Sequence, residues 1–363
     1  MSSDREAEKA EFMQIHGFGA ARREALSGDA STRAYERLHL DGGTTLIFMD
    51  QPPALESAPC LPGWTAEERR ASGYNALARL AAGRVDAFVC TAAWLREQGL
   101  SAPAILASDP PRGLAVLEDL GDDLFARLIE AGADEAPLYD AAIEALVRLH
   151  EVEPPDVLQH AGSSWPLLAY DEVALQTADN LFVEWLPRLK TGLAFDAGAL
   201  ADWDALWAPV RAHGAQGAHV FCHRDYHAEN LIWLPDRQGA QRVGLLDFQD
   251  AVKAHPAWDM SMLLHDARRD VSAQREQACL DLYFRLRPDI DGGQFLADFH
   301  TLGALNIVRI LGIFARLVTR DGKPRYAAMM PRLWGYLDRC LADPANAPLK
   351  AWLDAHVPAE ARA

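Results

Sequence analysis

The chain opens on a short amphipathic stretch, Arg5 to His16, whose spacing predicts a helix. Two strand-like runs follow, Tyr35–Leu40 and Thr44–Met49, on either side of Asp41-Gly42-Gly43. A Gly-rich turn between two such runs predicts a β-hairpin, closed at its far end by Pro52 and Pro53. After a loop from Leu55 to Gly63, helical spacing returns at Ala66–Ala82 and Asp86–Gln98, with Gly99 as the stop. Ala104–Ala107 and Leu114–Leu117 read as strands, and Glu118-Asp119-Leu120-Gly121 as an extended link into a helix near Asp122.

Beyond that link the pattern turns helical. Leu138–Glu151, Trp258–Arg268, Gln274–Leu286 and the strongly apolar Phe295–Thr319 all carry apolar residues at helical spacing. Two short strand pairs are expected around residues 221–246. The expectation is an α+β protein: a sheet-bearing N-terminal lobe over 1–119 and a larger helical lobe over 120–363. A nucleotide fits naturally in the cleft between two such lobes.

The chemistry concentrates in His223-Arg224-Asp225-Tyr226-His227-Ala228-Glu229-Asn230 and, seventeen residues later, Asp247-Phe248-Gln249-Asp250. Apolar segments (Phe221-Cys222 and Leu231–Leu234) pin the first loop, and Arg242–Leu246 reads as a short buried strand ending at Asp247. An acid at the end of such a strand stands at a pocket rim, because burying it inside would be costly. Phosphoryl transfer needs little covalent chemistry from a protein. It needs a group that orients the acceptor hydroxyl and takes its proton late, plus hard oxygens for Mg2+. Asp225 suits the first task, and Asn230 and Asp247 the second. A zinc site using His219 and His227 is the competing reading, weakened by the lack of Cys or Glu at ligand spacing.

Composition narrows the partners. A formal net charge of −17 over 363 residues disfavours nucleic acid and anionic membranes as partners. The five cysteines are odd in number and form no CxxC pair, which suits a reducing compartment. With a charged N-terminus and no apolar run expected to reach membrane-spanning length, the reading is a cytoplasmic monomer.

The order of these parts resembles the protein-kinase-like fold, and within it the aminoglycoside phosphotransferase and choline kinase branch. Gly28–Tyr35, Met49-Asp50-Gln51-Pro52-Pro53, Leu117–Asp122, Asp247–Ala251, Leu311–Leu317 and Arg320–Lys323 are similar to the anomeric N-acetylmuramate/N-acetylglucosamine kinases of cell-wall recycling. The resemblance implies ATP and Mg2+ as cofactors, Asp225 as base, and Asn230 and Asp247 as metal ligands. It further implies a phosphate-covering turn at Gly28, Ser31, Thr32 and Arg33, and a hinge at Glu118 to Leu120 that meets adenine through its backbone. Asp259 resembles the acid that braces the catalytic loop, with a helix cap as its ordinary alternative. One departure matters: the strand Leu46–Met49 lacks the Lys that such kinases use on the phosphates. Arg33 is the favoured replacement and Arg37 the other, since a guanidinium fits phosphate geometry.

For the acceptor, Glu184 beside Trp185 could grip a sugar, His227 shares the loop of Asp225, and Arg309 interrupts an apolar helix. Arg316 interrupts the same helix. The reading is an ATP-dependent kinase acting on the anomeric hydroxyl of a small amino sugar. The alternatives are an aminoglycoside or choline kinase, a nucleotide-binding pseudokinase, and a non-enzymatic scaffold.

Overall fold

The structure is a computed structural model that describes residues 3–26, 33–52, 59–81 and 83–362. Its N-terminal lobe holds α1 (Ser3–Ile15), β1 (Arg22–Ala25), β2 (Ala34–His39), β3 (Thr45–Asp50), α2 (Ala66–Ala71), α3 (Val85–Glu97), β4 (Ile105–Asp109) and β5 (Leu114–Glu118). The five strands form one antiparallel sheet in the order β1-β2-β3-β5-β4. Side-chain alternation gives this sheet two apolar faces. Leu46, Phe48, Leu114 and Val116 point to one face, covered by Phe12 and Met13 of α1. Met49, Ala115 and Leu117 point to the other, where Phe88 and Val89 of α3 join a core continuous with the helical lobe.

The expected helix over Ala66–Ala82 is broken. Thr65 caps α2 in a reciprocal box with Glu68, and the helix stops at Ser72-Gly73, where Gly73 takes φ +92°. A π-helical turn, Asn75–Arg79, resumes beyond it and carries Arg79 into the cleft.

The second lobe begins with α4 (Phe125–Glu130) and α5 (Glu135–His150), then the hairpin β6 (Val157–His160) and β7 (Ser163–Pro166). Helices α6 (Glu172–Leu189) and α7 (Ala197–Gln216) precede four three-residue strands: β8 (Val220–Cys222), β9 (Leu231–Trp233), β10 (Val243–Leu245) and β11 (Val252–Ala254). Helices α8 (Ala257–Leu264), α9 (Ala273–Leu286), α10 (Gly292–Thr319), α11 (Met330–Cys340) and α12 (Ala347–His356) complete it.

Helix α10 corrects the expectation that no apolar run reaches membrane-spanning length. Its 28 residues are long and apolar enough by composition, yet 67% of the apolar window is buried inside the protein. It is a core helix. Gly312 lets it lie directly on α6, since a Cβ there would collide with the backbone of Leu181 and Phe182. All five cysteines are free and buried.

Candidate active site

Two antiparallel strand pairs hold the site. β8 pairs with β11, and β9 with β10, so the loops 223–230 and 246–251 leave adjacent ladders side by side. The Leu246 N–H donates to the Asn230 carbonyl at 3.0 Å and ties the two loops together. Gly244 leaves little room in β10, because a Cβ would press on Ile232, Leu120 and Leu234 at 3.1–3.2 Å. Leu120 thus packs against the strand that leads to Asp247.

The loop around Asp225 is fixed from beneath. Asp259, 1% exposed in the first turn of α8, accepts the backbone N–H of His223 at 2.6 Å and of Arg224 at 2.9 Å, and the Cys222 thiol at 3.2 Å. It is therefore a brace for the loop. Tyr226, fully buried, donates its hydroxyl to the Ala142 carbonyl of α5 at 2.8 Å. The Asn230 amide nitrogen donates to the Asp225 carbonyl at 2.8 Å, which leaves Oδ1 as the atom of this amide able to meet a cation. Asp247 takes φ +61°, a left-handed conformation that Asp tolerates better than most residues, and keeps a side chain 39% exposed. Asn230 and Asp247 thus offer the hard oxygens that Mg2+ takes, and the donor set fits that ion.

Four guanidinium groups approach this acidic centre. Burial disfavours charge on Asp225, but Arg309, Arg79 and Arg224 outweigh it and hold the carboxyl below its ordinary range. Arg224 reaches the Arg79 and Ala78 carbonyls of the π-helical turn and stacks its guanidinium 4.9 Å from the Tyr170 ring. Arg79 forms an ion pair with Asp250. Arg33 donates to Asp247 Oδ1 at 2.5 Å and to Gln249 Oε1 at 2.7 Å. Arg37, the other candidate for the missing Lys, is engaged elsewhere, with Asp119 at 2.7 Å and Asp122 at 2.8 Å.

Of the remaining expected residues, Gly28, Ser31 and Thr32 lie outside the described residues. The Glu118 N–H already donates to the Ala104 carbonyl at 2.9 Å, and its carboxylate binds Arg237 at 2.7 Å and Arg96 at 3.0 Å. His227 and Arg309 line a cavity with Asp225, Asp266 and Arg268. Met262, Ile310, Ile313 and Phe314 form its apolar wall. Burial drives the His227 imidazole well below its usual range, and Nδ1 has no partner among the described residues. Glu184 is not brought to this cavity; its side chain is 49% exposed on α6 and pairs with Arg188 at 3.3 Å. Arg316 stacks over Tyr74, with ring and guanidinium 4.3 Å apart.

Asp266, Arg79 and Arg224 were not singled out by the sequence pattern. Asp266 Oδ2, lining the same cavity as His227, is buried without a partner among the described residues, and burial raises its carboxyl above the ordinary range. The nearest sequence signal is the polar cluster His265–Asp270 breaking an apolar helix. Away from the cleft, His213, His255 and Asp298 come close enough to suggest a metal. Yet His255 Nδ1 accepts the Ala257 N–H at 3.2 Å, so Nε2 carries the proton and faces Asp298 as a donor at 3.3 Å. That tautomer favours hydrogen bonding over metal ligation, since a metal-bound ring keeps its proton on the other nitrogen.

The small antiparallel sheet, the cleft and the paired loops agree with one family model, described as the phosphotransferase enzyme family, which matches residues 22–296. The chain belongs to this family. The phosphotransferase is 68% identical over 362 residues to the N-acetylmuramate/N-acetylglucosamine kinase of Caulobacter vibrioides, covering 100% of this chain and 99% of that protein. A protein of the same name from Pseudomonas aeruginosa is 30% identical, covering 87% of this chain and 82% of its own. A choline/ethanolamine kinase family protein from Mesorhizobium loti superposes with a TM-score of 0.54 at 15% identity, covering 98% of this chain and all of that one. At that identity the likeness is one of fold, and the fold is protein-kinase-like.

Proposed function

We propose that this phosphotransferase moves the γ-phosphoryl group of ATP to the anomeric hydroxyl of N-acetylmuramate or N-acetylglucosamine, giving the sugar 1-phosphate and ADP. The observation that carries the reading is the cavity in which Asp225, His227 and Arg309 meet an apolar wall, one loop away from Asn230 and Asp247. The two named relatives supply the acceptor class. This chemistry belongs to the cytoplasm, where ATP meets sugars returned from the cell wall.

Asp225 is held ionised by its guanidinium neighbours and so can accept the hydroxyl proton as the new P–O bond forms. An anomeric hydroxyl is more acidic than other sugar hydroxyls, so a carboxylate is base enough. His227 stays neutral, and its unpartnered Nδ1 and Asp266 Oδ2 are free to bind sugar oxygens. Ile310, Ile313 and Phe314 suit an acetyl methyl or a sugar C–H face. Arg309 spends one N–H group on Asn306 at 2.9 Å, and its others can meet a lactyl carboxylate. Asn230 and Asp247 would hold Mg2+, which when bound neutralises charge on the transferring phosphate oxygens.

An ADP-release assay over N-acetylmuramate, N-acetylglucosamine, glucose, kanamycin and choline tests the reading. Turnover confined to the N-acetyl sugars is expected; turnover of kanamycin or choline with the N-acetyl sugars inert would overturn it.

A further inference from the structure

Arg33 stands just before β2 in the N-terminal lobe, and Asp247 stands at the end of β10 in the other. Their side chains nevertheless meet, Arg33 Nη2 lying 2.5 Å from Asp247 Oδ1. Gln249 joins them: its Oε1 accepts from Arg33 Nη1 at 2.7 Å, and its Nε2 donates to the same Asp247 oxygen at 3.0 Å, while Arg33 Nη1 also reaches the Tyr35 hydroxyl at 3.4 Å. Asp247 Oδ1 therefore already receives a guanidinium and an amide. The Arg33 side chain is 12% exposed and that of Asp247 39%, so the guanidinium is packed while the carboxylate stays open to the cleft.

We propose that Arg33 occupies the cation's place on Asp247 in the nucleotide-free protein and exchanges that carboxylate for nucleotide phosphates when the metal-bound nucleotide arrives. The inference rests on the reading of Asp247 as a metal ligand. A divalent ion needs a carboxylate oxygen with free lone pairs, and it repels a guanidinium bound to the same group. A metal ion alone therefore competes with Arg33 for Asp247 and gives the guanidinium nothing in exchange. A metal-bound triphosphate offers one, because guanidinium and phosphate oxygens pair in a bidentate fork. Arg33 thus couples the two ligands: it weakens binding of the bare ion and strengthens binding of the ion with its nucleotide. Such coupling is reciprocal by thermodynamic necessity. It also explains how a chain without the third-strand Lys keeps a cation ready for the phosphates.

The test is a titration of the full-length protein with Mn2+, followed by loss of the free-ion signal in electron paramagnetic resonance, with and without a non-hydrolysable ATP analogue. Arg33→Met should bind Mn2+ alone about tenfold more tightly or better, the scale of one charge-assisted hydrogen bond removed from the competing state. It should bind the Mn2+–nucleotide complex more weakly than the wild type. Arg33→Lys, which keeps the charge but loses the fork, should fall between the two on both counts. Unchanged or weaker Mn2+ binding by Arg33→Met, with the protein folded by circular dichroism, would overturn the proposal. Asp247→Asn separates the underlying reading. Mn2+ binding should be lost in that variant, and full retention would remove Asp247 as a ligand and the exchange with it.

Discussion

The backbone N–H of Arg224 donates to the Asp259 carboxylate at 2.9 Å, although Arg224 sits at φ +73°, where a side chain other than glycine is strained. That conformation costs on the order of 1 kcal/mol and persists only where the surroundings impose it. Asp259 imposes it, and the turn it stabilises sets Asp225 facing the cleft while the Arg224 side chain reaches back to the π-helical turn of the other lobe. Asp259→Asn places an amide N–H against donors and should lower the unfolding free energy by about 2 kcal/mol or more in urea titrations. Turnover should fall further than the nucleotide KM rises. A variant with unaltered stability and kcat would remove Asp259 from this role.

Asp225→Asn should lower kcat by about 10²–10⁴-fold, the range for loss of a positioned base, while nucleotide affinity measured by calorimetry changes little. Loss of nucleotide binding to the same extent would place Asp225 among the nucleotide contacts instead.

Arg309→Met should raise the KM for N-acetylmuramate about tenfold or more and the KM for N-acetylglucosamine much less, because only the former carries a carboxylate. Equal effects on both sugars would mean that Arg309 acts through Asp225, whose charge it supports.

Burial lowers the His150 imidazole from the ordinary 6.5 to about 3, with Nδ1 bonded to the Tyr283 hydroxyl at 2.8 Å. The folded protein keeps this ring neutral while the unfolded chain protonates it below pH 6.5. Stability from this group is complete above that pH and falls as the pH drops toward 3, by up to about 1.4 kcal/mol per pH unit. The stability advantage of the wild type over His150→Gln should therefore shrink between pH 7 and pH 5 in denaturant titrations. A constant difference would contradict the neutral buried ring.

Much of the fold was readable because its physics is local. The β2–β3 hairpin announces itself through Asp41-Gly42-Gly43, and the two apolar sheet faces through the Leu46–Met49 and Leu114–Leu117 runs. Strand β1 was silent, since Arg22–Ala25 is polar and exposed and its side chains meet β2 through ion pairs, Arg23 with Glu36 and Glu24 with His39, rather than through apolar contacts. Helix α7 was masked by Pro209 and scattered glycines, although Trp203 and Trp207 bury one face of it. Among the candidate site residues, Asp225, Asn230 and Asp247 stand close in sequence, so spacing alone was enough to nominate them together. Asp266 and Arg79 acquire meaning only from the helices that carry them to the cleft. Glu184 shows the converse: a carboxylate beside an indole resembles a sugar clamp, but the helix turns it to solvent and Arg188.

Phosphorus NMR of the product made from N-acetylmuramate, ATP and Mg2+ tests the central claim most directly. The account predicts a single sugar phosphate whose phosphorus couples to the anomeric proton, formed by the wild type and formed at least about 10²-fold more slowly with Asp225→Asn. A phosphate on any other carbon, or the same product from the Asp225→Asn protein at the wild-type rate, would contradict it.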